Sequence, residues 1–152
     1  MFSLIITIIS IALVAALAVA TIYYGGSAFT QGTAKANASA LVAGAQQITG
    51  AISLYQNDLG SRPTLSTQLT PNYLASMPSP GGVTFEIGDG TTVAKTIVSA
   101  PVTSAATCVA IGTSAGSTMP TDGSALAAAD DTKPYTCTGS GSPFDGTFTF
   151  KG

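Results

Sequence analysis

MFSLIITIISIALVAALAVATIYYGG, residues 1–26, decides how this chain is organised. No charged residue occurs before Lys35. As a helix, the first 24 positions reach about 36 Å at ~1.5 Å per residue, enough to cross a hydrocarbon core of roughly 30 Å. A secretory signal would show a basic n-region, a shorter apolar run and a small-residue cleavage site. A plain anchor would carry basic residues on its cytoplasmic flank. Neither pattern is met, so the expectation is a mature end from which a basic leader has been removed.

Outward from that stretch, Gly25, Gly26 and Gly32 interrupt the run. Each costs a helix about 1 kcal/mol relative to Ala, so residues 25–33 read as a hinge. Ala38, Leu41, Ala45, Ile48, Ile52, Tyr55 and Leu59 then follow helical spacing. This is one apolar stripe, suited to packing on a sheet. Gly60 and Pro63 close the helix. The expected domains are an apolar helix 1–24, the hinge 25–33, an amphipathic helix 34–59 and a globular head 60–152.

Within the head, residues 60–82 form a proline-rich loop in which PNYLASMP holds one helical turn. VTFEI and VAKTIVS flank GDGTT as a hairpin. TCVAI is a third strand, and GTFTF a fourth with Phe148 and Phe150 on one face. Residues 113–145, rich in Gly, Ser, Asp and Pro, read as loop. The fold class is α+β: a long N-terminal helix on a small antiparallel sheet. Cys108 and Cys137 pair if the anchor carries the head into an oxidising compartment; otherwise they are two separate buried thiols.

Composition excludes several functions. Charged residues are 8% of the chain against 45% hydrophobic, and net charge is −2. The five cations are scattered, so no specific nucleic-acid binding is expected. There is no His, no nucleophile beside a base and no phosphate loop, so no enzyme and no cofactor is expected. Asp89, Asp130 and Asp131 read as solvated loop carboxylates rather than a calcium site. The sequon Asn37-Ala38-Ser39 reads as fortuitous, and the aromatics Phe2, Tyr23, Tyr24, Phe29 and Tyr55 as packing and interface anchors.

The order of these elements resembles a type IV pilin. The resemblance rests on MFSLIITIISIALVAALAVA, on GAISLYQNDLGSRP at the end of the helix, and on Cys108 and Cys137, which match the disulfide framing that family's C-terminal region. A mature chain starting at Met is similar to the type IVb group. The resemblance implies a subunit cut by prepilin peptidase, methylated at Met1, held in the inner membrane and then polymerised by the pilus assembly machinery. The product is an extracellular helical filament of identical copies, serving adhesion, motility or uptake. Leu4, Ile5, Ile8, Ile9, Ile11, Ala12, Leu13, Ala15 and Ala16 would pack the filament core, small residues letting helices approach closely. Leu41, Ala45, Ile48, Ile52, Tyr55 and Leu59 would pack on the sheet.

Two departures stand out. Where major pilins carry a Glu at the fifth mature position, this chain has Ile5, so the amine of Met1 lacks that carboxylate partner. Ser3 and Thr7, with Ser10, are the candidate acceptors in its place, although such hydroxyls ordinarily bond back to the preceding turn. Ile22 stands where the family has a helix-breaking Pro, a role left to Gly25 and Gly26. The missing Glu also fits a pseudopilin of a type II secretion or competence machine. A single-pass anchored periplasmic binding domain is the alternative from a different class.

Overall fold

The computed structural model describes residues 2–88, 96–118 and 132–151. Helix α1 runs Phe2–Leu59, followed by 3-10 turns at Ser66–Gln68 and Pro80–Gly82. Then come β1 (Glu86–Ile87), β2 (Thr96–Val102), α2 (Ala105–Ser114), β3 (Tyr135–Ser140) and β4 (Asp145–Lys151). The chain divides into two compact units, residues 1–33 and 34–152.

The first unit is helix throughout its described residues. The glycine hinge expected over residues 25–33 is not a break: α1 continues through Gly25, Gly26 and Gly32. One physical reason accounts for this: no proline occurs before Pro63, so no backbone donor is missing. Thr30 donates its hydroxyl proton to the Gly26 carbonyl at 3.2 Å. Thr33 does the same to Phe29 and Thr30 at 3.1 and 3.0 Å. A glycine cost of about 1 kcal/mol each does not unwind this helix, which is continuous over Phe2–Leu59.

The second unit has its own core. The α1 residues Ala34, Ala38, Leu41, Ala45, Ile48 and Ile52 are buried, as helical period requires. Ala51 and Gly44 extend the buried face to one side, with Gly44 meeting the ring of Phe85. Tyr55 is half-buried, edge-on to Tyr73 at 5.4 Å. Leu59, expected to pack on the sheet, is 58% exposed. It lies in the last turn of α1, where the chain turns away at Gly60 (φ 66°).

The four described strands form one antiparallel sheet in the order β1-β2-β4-β3. β1 and β2 pair as the expected hairpin, Glu86 opposite Ser99 and Ile87 opposite Val98; its GDGTT connection lies outside the described residues from Asp89 onward. β2 and β4 present Val98, Ala100 and Val102 opposite Phe150, Phe148 and Gly146. Val98 and Ala100 thus face the two phenylalanines across the ladder, and Val102 faces a glycine. Phe148 and Phe150 share the inner face, as alternation requires.

Two elements differ from expectation. TCVAI is not a strand: it lies inside α2. Ser104 caps that helix, accepting a hydrogen bond from the Thr107 amide at 3.4 Å, and Cys108 and Ile111 fall three apart on its buried side. Within the stretch expected as loop, YTCTGS forms β3 along β4. Gly139 and Gly146 sit directly opposite each other there. A Cβ on Gly139 would come 2.5 Å from the Gly146 Cα and 2.7 Å from the Phe144 ring. Gly139→Ala is therefore expected to destabilise the head by about 1–3 kcal/mol through overpacking, read as a lower urea midpoint with unchanged slope.

Cys108 and Cys137 form a disulfide with Cα atoms 5.3 Å apart. Both are buried, and the bond ties α2 to β3.

Candidate functional surface: the uncovered helix

An all-apolar helix must be covered by something other than water, because exposed apolar area costs about 25 cal/mol per Å². The described side chains of residues 2–33 are all exposed. Phe2 is 85% exposed and Tyr23 79% exposed. Each expected core-packing residue, Leu4, Ile5, Ile8, Ile9, Ile11, Ala12, Leu13, Ala15 and Ala16, is exposed as well. The helix is long and apolar enough to cross a membrane. Tyr23 and Tyr24, in edge contact at 5.6 Å, stand where the aliphatic run ends; amphipathic rings favour the membrane–water boundary.

The hydroxyls on this helix are mostly turned inward. Thr7 donates to the Leu4 carbonyl at 2.8 Å, Ser10 to Ile6 at 2.8 Å and Thr21 to Ala18 at 2.9 Å. The proton of Thr7 is thus committed to its own helix, and only its oxygen lone pairs face outward. Ser3, Thr7 and Ser10 share one side by their three-and-four spacing. Met1, the expected site of processing and methylation, lies outside the described residues.

In the head, Tyr73 donates its hydroxyl proton to the Asp58 carboxylate. Its phenol is held above the ordinary tyrosine value by desolvation first, then by that hydrogen bond and the Asp58 charge. Among the described residues no three His, Cys, Asp or Glu side chains come together as metal ligands. Asp89, Asp130 and Asp131 lie outside them. Sequence reasoning missed Ala34, Ala51 and Gly44 on the buried face of α1, and period alone would have found Ala34.

Comparison with protein-family models, with curated proteins and with solved structures gives no match.

Proposed function

We propose that this chain is a structural subunit that polymerises through residues 2–33 into an extracellular filament of the type IV pilus kind, after residence in the inner membrane. The observation that carries the reading is the uncovered apolar helix joined in sequence to a head with its own disulfide-tied core. Such a helix has two burial options, lipid before assembly and copies of itself after it. Copies that meet through unlike surfaces build an open fibre wherever the rotation between them does not close into a ring, and the filament reading takes that case. Adhesion, motility or uptake would then belong to the head. The N-terminal amine, without a carboxylate at Ile5, would find acceptors in the outward lone pairs of Ser3, Thr7 and Ser10.

A second reading rests on the same helix: a single-pass anchor for a domain that never polymerises. Electron microscopy of material sheared from producing cells separates the two. Filaments whose mass spectrum contains this chain, starting at methylated Met1, are the expected result. Chain found only in the membrane fraction, with no filaments, would favour the anchor.

A further inference from the structure

The head holds a groove of about 550 Å³ lined by α1, α2 and Tyr135 of β3. Ala38, Val42, Ala110 and Tyr135 line its apolar part, and Lys35 stands among the lining residues. The wall is set before anything binds. The Tyr135 ring stacks on Phe150 at 6.2 Å with the planes 5° apart. Its hydroxyl donates to Ser114 Oγ at 3.3 Å.

Toward the other end of α1 lies the complementary surface. Leu54 is 58% exposed, and Asp58 follows one turn later on the same face, also exposed. An aliphatic knob with a carboxylate beside it matches an apolar groove with an ammonium among its walls. Lys35 and Asp58 are the two charged residues of α1. They are about 35 Å apart along the helix at ~1.5 Å per residue, so they cannot meet within one chain.

We propose that the groove of one copy receives Leu54 of a second copy, with Asp58 of that copy paired to Lys35. The proposal rests on the reading above that copies of this chain assemble. Groove and knob are unlike surfaces on one molecule, so the contact is head-to-tail and repeats from copy to copy, as the filament reading requires. It gives the heads a register of their own, separate from the packing of the apolar helices. Opposite charges set that register, and like charges placed there oppose it.

The test uses full-length chains in producing cells. Val42→Cys and Leu54→Cys chains are expressed together and treated with a short bifunctional maleimide; Cys108 and Cys137 are already paired. Crosslinked dimers are expected from the mixture and not from either variant alone. Lys35→Asp or Asp58→Lys, added to both chains, is expected to lower the yield at least about tenfold, the equivalent of ~1.4 kcal/mol. Carrying both reversals together is expected to restore it. Wild-type filaments with no Val42–Leu54 crosslink would overturn this contact and leave the filament reading standing. Crosslinks without filaments would overturn the filament reading and leave the contact. Neither product would overturn both.

Discussion

Ile11→Lys is expected to abolish filaments. Ile11 stands near the middle of the aliphatic run and is exposed on α1, so whatever covers this helix must accept the new ammonium. At the centre of a bilayer a lysine costs about 2.5–3.5 kcal/mol on insertion scales, and the lost isoleucine adds several tenths more. In a protein core an unpaired charge is dearer still. The two burial states therefore fail together. Filaments counted by electron microscopy should fall to background, and the carbonate-resistant membrane fraction should shrink. Ile11→Leu, which keeps volume and polarity, should change neither. Wild-type filament numbers in the lysine variant would mean that this helix is not buried in the fibre.

The second large effect concerns the head. Cys108 and Cys137 close a sequence separation of 29 residues, which in the chain-entropy model stabilises the fold by about 3–4 kcal/mol. Replacing both by Ala is expected to lower the melting temperature by more than about 10 °C. Thermal circular dichroism of the full chain in detergent would measure it. The loss should fall first on α2, whose other deep anchor is Ile111. An unchanged melting temperature would assign α2's attachment to Ile111 and its neighbours alone.

How far the sequence discloses this fold depends on where periodicity is strong. The stripe from Leu41 to Ile52 repeats over several turns, and the structure buries it. Phe148 and Phe150 alternate cleanly, and β4 follows. Short segments carry less information. TCVAI has five residues with a β-branched centre, a length and composition that suit a strand as well as a buried helical face. The deciding signal is Ser104, an N-cap three residues before the buried Thr107. YTCTGS gives a weak strand signal because it holds a glycine, a residue depleted in strands. Tertiary context overrides that preference: Gly139 is there because Gly146 and the Phe144 ring leave no space for a side chain. Leu59 matched the stripe's spacing, but spacing does not say where the sheet beneath a helix ends. The uncovered face was legible from the first 34 residues. The groove was not, because it joins residues far apart in sequence, from Lys35–Gln46 to Ala110–Tyr135.

The inward-turned hydroxyls of Thr7, Ser10 and Thr21 have one more consequence. A side-chain donor pointing outward from an apolar helix would need a different acceptor in each environment the helix visits, and each move would begin by breaking a bond. Here those three protons stay within their own turns. Exchange between hydrocarbon and protein surroundings then leaves these hydrogen bonds unchanged. The helix is portable: it can leave one apolar solvent for another with its own bonding intact, in either direction.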